Sequence, residues 1–121
     1  MEKKALIVDD SPSMRQLIRF TLLEEGFDVV EAVNGQEALR KLEAIGADFI
    51  ITDINMPEMD GITLIKNVRV HLSFKFLPII VLTTESEGEK KKEGLAVGAS
   101  AWIEKPFTPE KLLEVIKKTM G

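Results

Sequence analysis

The 121-residue chain contains no cysteine and a single histidine, His71. The first absence excludes disulfides, thiolate nucleophiles and sulfur-bound metals. The second excludes an imidazole-built metal site within one chain. Oxygen chemistry is untouched, because twenty Asp and Glu residues remain, and oxygen ligands suit hard cations such as magnesium. Long apolar runs are missing as well. The opening MEKKALIVDD offers four apolar residues before two aspartates, too few for a signal-peptide core or a membrane span. A cytoplasmic protein without membrane association is expected. Excess positive charge is also absent: the formal net charge is −4, and the short basic cluster Lys90-Lys91-Lys92 is surrounded by glutamates. That balance argues against general nucleic-acid binding.

The composition is 45% hydrophobic and 30% charged, that of an ordinary globular protein. The length fits one domain with a real core, and no linker, low-complexity tract or repeat interrupts it. One domain over residues 1–121, with no separate effector domain, is the expectation.

Five short apolar runs punctuate the chain, at 5–8, 27–33, 48–52, 78–83 and 99–104. The first, third and fourth are nearly continuous in Ile, Val, Leu and Phe, as in central parallel strands covered on both faces. Helical patterns lie between them. Ser11 can cap a helix with Pro12 in its first turn, ending near Gly26. Asn34 and Glu37 have capping-box spacing, and Gly46 closes that second helix. Asp60 can cap a helix over 62–71, a fourth runs over 87–97 to Gly98, and the last begins at Thr108-Pro109 with Leu112, Leu113 and Ile116 on one face. Strands alternating with helices predict an α/β fold, a doubly wound parallel five-stranded sheet with right-handed crossovers.

In such a sheet every strand's C-terminal end meets at one edge, where ligands bind. Strand one ends in Asp9-Asp10, strand three in Asp53, strand four in Thr83-Thr84 and strand five in Lys105. Strand two ends in Val33 and contributes nothing chemical. Singly, each group has a plain structural explanation; Asp10, for one, can form a turn with Ser11-Pro12. Together, three carboxylates at one point repel unless a cation or a proton intervenes, and Mg2+ is the natural one. Cation, ammonium and hydroxyl are what a transferring phosphoryl group requires. A carboxylate fixed at the end of a buried strand can then be the nucleophile, under the open turn MPEMDG at 56–61. The backbone carbonyl of Asn55 can add a metal ligand.

The stretches ALIVDDS at 5–11, DINMPEMDG at 53–61, IIVLTT at 79–84 and KPF at 105–107 resemble the receiver domain of two-component response regulators, over essentially the whole chain. The resemblance is specifically to the stand-alone chemotaxis regulators. The resemblance implies a flavodoxin-like (βα)5 fold with strand order 2-1-3-4-5. It also implies Asp53 as acceptor of a phosphoryl group from a sensor histidine kinase, with Asp10, Asp53 and the Asn55 carbonyl on Mg2+ and Asp9 acting largely through a metal-bound water. Thr83 and Lys105 would hold the phosphoryl group, and a cis bond is expected at Lys105–Pro106. Asn55 and Thr84 would modulate hydrolysis of the acyl phosphate. Trp102 stands at the family's switch-aromatic position, where the resemblance implies that movement of Thr83 would let the ring swing inward and alter the face of helix four, strand five and helix five; the competing reading is a fixed, partly covered strand residue. A downstream protein target, the flagellar motor switch, and a monomeric state follow by the same analogy. Enzyme character would be confined to the chain's own phosphorylation and dephosphorylation.

Other readings compete. A single-domain phosphorelay carrier would use the same site. A magnesium-dependent aspartyl-phosphate phosphatase would need an acid two residues past Asp53, where Asn55 stands, and a cap that no insertion is long enough to form. A flavodoxin-like cofactor binder is opposed by the glycine-free loop DDSPSM, whose carboxylates repel phosphate. A receiver that no longer accepts phosphate is opposed by the complete set of acceptor, acidic pair, threonine and lysine.

Overall fold

The computed structural model describes residues 3–84 and 88–120. β1(Lys4–Val8), β2(Asp28–Ala32), β3(Phe49–Asp53), β4(Ile79–Thr83) and β5(Ala101–Glu104) alternate with α1(Pro12–Glu24), α2(Gly35–Ile45), α3(Gly61–Arg69), α4(Gly88–Ala96) and α5(Pro109–Met120). The strands form one parallel sheet in the order β2-β1-β3-β4-β5. All five residues of β3 and of β4 are buried, because helices cover both faces of the central strands. One layer of core joins Leu6, Val8, Ile50 and Val81 to α2 and α3 through Leu42, Leu64, Ile65 and Val68. The other joins Ile7, Ile51, Ile80 and Leu82 to α1 and α5 through Ile18, Leu22, Leu112 and Ile116. Each such side chain contributes about 1.5–3 kcal/mol of burial. Met14, Met56, Met59, Met120 and Phe107 pack at the margins of these layers.

The caps follow local chemistry. Side chains of Ser11, Asn34 and Asp60 accept from the N–H groups of Met14, Glu37 and Thr63 at 3.3, 2.8 and 2.9 Å. Thr108 accepts from Lys111 N–H at 3.1 Å. Gly46 ends α2 at φ 83°, where only glycine is unstrained. The capping box differs from its expected form: Glu37 reaches past Asn34 and accepts from Val33 N–H at 2.9 Å. The predicted start of the fourth helix at 87 lies outside the described residues.

Three predicted elements are shorter than their apolar runs. α3 stops at Arg69 and not at His71, because a tight turn (His71 N–H to Val68 O, 3.1 Å) brings Phe74 against the core. The Arg69 guanidinium fixes that turn, donating to the carbonyls of Leu77 (2.7 Å), Lys75 (3.2 Å) and Gly98 (2.9 Å). β2 leaves out Phe27, whose ring instead packs edge-on against Phe49 at 5.4 Å. β5 begins only at Ala101, because Ser100 is spent on a loop, its hydroxyl accepting from Ile79 N–H at 3.0 Å.

Candidate functional site

The parallel sheet brings Asp9, Asp10, Asp53, Thr83 and Lys105 to its C-terminal edge as the ends of β1, β3, β4 and β5. One carboxylate oxygen from each of Asp9, Asp10 and Asp53 lies within 4.8 Å of the others. Asp9 and Thr83 are each 1% exposed and Asp53 is 8% exposed, whereas Asp10 is open to solvent. Lys105 Nζ stands 3.2 Å from Asp53 Oδ1 and 3.8 Å from Asp9 Oδ2. The peptide bond that follows it, Lys105–Pro106, is cis. Lys105 N–H donates to Thr83 O at 2.6 Å, tying β5 to the threonine's backbone.

Two of the carboxylates are oriented by the chain around them. Asp9 Oδ1 accepts from Ser11 N–H at 2.9 Å, and Asp53 Oδ1 accepts from Ile54 N–H at 2.9 Å. Asp9 Oδ2 is buried with no hydrogen-bond partner. Burial pushes the Asp9 carboxyl above the ordinary range, and the neighbouring Asp53 and Asp10 charges push the same way against the Ser11 bond and Lys105. An orphaned buried oxygen beside two more carboxylates, all hard oxygen donors, fits a divalent cation of the magnesium kind.

Two supports were not legible in the strand ends. Strand two is not chemically idle. Glu31 on β2 pairs with Arg15 at 3.3 Å, and Arg15 Nη1 donates to the Asp9 carbonyl at 2.8 Å, so β2 braces the acidic turn through α1. Gly61 is the second. A Cβ there would lie 2.4 Å from the Asp53 carbonyl oxygen and 2.9 Å from Ile54 Cα, so the MPEMDG turn can close against the end of β3 only with glycine. Gly61 N–H donates to Ile54 O at 2.9 Å, and Glu58 in the same turn takes φ 68°. The spacing from Asp53 to Gly61 was the available signal, but the contact itself is tertiary.

Asn55 and Thr84 flank the cluster, Asn55 exposed and Thr84 half-buried. The Asn55 side-chain oxygen accepts from Lys90 Nζ, across the gap between the β3–α3 turn and α4. Trp102 is 39% exposed on the outer side of β5, with Lys91 Nζ 4.0 Å from its ring centroid. The ring also lines a surface cavity of about 260 Å³ with Ala101, Val115 and Lys118. His71 lies in the α3–β4 turn, where its Nδ1 accepts from Ser73 N–H at 3.1 Å, away from the acidic edge.

The family described as "Response regulator receiver domain" matches residues 5–117. The chain belongs to that family. It is 46% identical to chemotaxis protein CheY1 of Helicobacter pylori, covering 98% of this chain and 97% of that one. It is 43% identical to a CheY homolog of Campylobacter jejuni, covering 98% and 92%. Among solved structures, chemotaxis response regulator CheY4 of Vibrio cholerae superposes with a TM-score of 0.93 at 47% identity, covering 98% of this chain and 99% of that one. CheY-like receiver domains take a phosphoryl group from histidine kinases and act on downstream targets, so phosphorylation-dependent signalling is the general activity. Among the described residues, no helix is long and apolar enough to cross a membrane.

Proposed function

We propose that this receiver is a chemotaxis switch in which Asp53 is the phosphoacceptor. Its carboxylate oxygen attacks the phosphorus of a kinase phosphohistidine. The phosphorus–nitrogen bond breaks, and the imidazole nitrogen keeps the electron pair and takes up a proton. The product is an acyl phosphate on Asp53, which water later hydrolyses. Asp10, Asp53 and the Asn55 carbonyl would hold Mg2+, with Asp9 acting largely through a bound water. That ion supplies neutralisation of the phosphoryl oxygens and of the crowded carboxylates. Lys105 offers a fixed positive charge to the transferred group, and Thr83 a hydroxyl donor.

The observation that carries this reading is the Lys105 ammonium 3.2 Å from Asp53 Oδ1 beside the orphaned Asp9 oxygen. The acceptor is thus flanked by one fixed cation and by an unmet demand for another. Asn55 and Thr84 flank the acceptor and set how water reaches the acyl phosphate. Relay from Asp53 to the docking face runs through Thr83 on β4 to the neighbouring strand β5, where Trp102 swings inward from its outward position. The face of α4, β5 and α5 then changes and binds a protein target, the flagellar motor switch. The reading also takes the chain as one receiver domain that works as a cytoplasmic monomer. The chemotaxis names of its relatives support the pathway.

Trp102 is the only tryptophan, so its emission reports the switch directly. Magnesium titration followed by acetyl phosphate is expected to change emission in two steps, and Asp53→Asn to lose only the second. A chain that gains a phosphoryl group while emission stays flat would leave the acceptor chemistry standing and overturn the Trp102 relay.

A further inference from the structure

Lys90 lies in the first turn of α4, its side chain exposed, and its Nζ donates to Asn55 Oδ1. Asn55 follows Asp53 by two residues, so this contact puts a second cation beside the acceptor loop, from an element other than the one that carries Lys105. We infer that Lys90 is a specificity-determining residue, selecting phosphodonors that approach with high negative charge and holding the Asn55 amide at the rim. The inference rests on Asp53 being the acceptor.

The reasoning is one of charge. Asp9, Asp10 and Asp53 bring three negative charges, and Lys105 returns one. A divalent cation bound among them cancels the remainder. The sign of the charge that an incoming donor meets is then decided at the rim, where Lys90 is positive. Among the described residues, no carboxylate forms an ion pair with Lys90. Glu89 is turned toward Lys92 at 3.8 Å, and Asp60 is engaged in capping α3. Glu58, on the exposed β3–α3 turn, and Glu93, one turn along α4, are further acidic groups among the described residues. A positive rim raises the encounter rate of anionic ligands, by about ten- to a thousandfold in strongly focusing clefts and less at open sites. Lys91 does not share the role, since its ammonium is held over Trp102.

The test compares donors of different charge. Wild type, Lys90→Arg, Lys90→Met and Lys90→Glu are phosphorylated with acetyl phosphate, a dianion, and with phosphoramidate, which carries less negative charge. Uptake is followed by intact mass at about 0.1 M and about 1 M salt, across which the screening length falls from about 10 Å to about 3 Å. At low salt the second-order rate constant for acetyl phosphate should fall about threefold in Lys90→Met and about tenfold in Lys90→Glu, with Lys90→Arg near wild type. Phosphoramidate should be affected less, and the differences should shrink at high salt. Equal losses with both donors, or losses that ignore salt, would make Lys90 a structural contact and overturn the inference. So would variants indistinguishable from a phosphorylated wild type. If the wild type itself takes up no phosphoryl group, the acceptor reading fails and Lys90 with it.

Discussion

At Asp9 the fold holds a carboxylate that water scarcely reaches, with one oxygen on Ser11 N–H and the other without a hydrogen bond, 3.8 Å from the Lys105 ammonium. Its folded pKa lies above the ordinary 3.8, chiefly because burial penalises the charged form. Without metal, at pH values between 3.8 and its own raised one, native Asp9 therefore keeps a proton that the unfolded chain has lost. This stabilising contribution is complete below pH 3.8 and is lost as pH rises through the higher folded value. Magnesium competes with the same proton, so the rise in melting temperature that it produces should grow as pH increases above 3.8. Differential scanning fluorimetry with and without magnesium across that range checks it, and an increment independent of pH would contradict it. Asp9→Asn should raise the metal-free melting temperature by about 3–5 °C, the equivalent of about 1 kcal/mol, while weakening magnesium binding. Arg15→Ala should weaken magnesium binding without removing any ligand, because it frees the Asp9 carbonyl and cuts the link to Glu31, which keeps only Arg19 at 3.5 Å. Titration of Trp102 emission with magnesium checks both variants, and unchanged affinity in either would contradict its prediction.

The ends of the elements carry the site. Those ends were the part most legible in the sequence, because strand composition and polar punctuation are local signals. Asp9-Asp10, Asp53, Thr83 and Lys105 could be assigned to one edge from the parallel alternation alone. What was not legible depended on contacts between distant segments: Lys90 on Asn55, Glu31 on Arg15, and Gly61 against Asp53. Periodicity extended the third helix to His71, but the inward pull of Phe74 and the carbonyls gathered by Arg69 end it sooner. Arg69→Ala should destabilise the fold by about 2–3 kcal/mol, leaving the carbonyls of Leu77 and Gly98 without their donor. Lysine should not restore it, since one ammonium cannot reproduce the planar fork. Gly61→Ala should cost about 1–3 kcal/mol and slow phosphoryl uptake, because the new methyl must displace the Asp53 backbone. Urea unfolding gives the first quantity and intact mass the second; normal uptake in a destabilised Gly61→Ala chain would separate the turn from the chemistry.

Across the whole molecule, the site and the face of α4, β5 and α5 are joined by two routes. One runs through the sheet from Thr83 to β5, the other across the surface from Asn55 to Lys90 on α4. Lys91 over Trp102 favours the outward ring, and such a contact at an exposed position is worth about 0.5–1 kcal/mol. Lys91→Ala should therefore shift Trp102 emission in the unphosphorylated protein toward that of the phosphorylated one. The central claim is simpler than the relay and is tested most directly by intact mass with peptide mapping. The chain is incubated with acetyl phosphate in magnesium, in chelator, and as Asp53→Asn in magnesium. One added phosphoryl group on the peptide containing Asp53, lost in chelator and in Asp53→Asn, is the expected result. Equal uptake in Asp53→Asn, or none in the wild type with magnesium present, would contradict it.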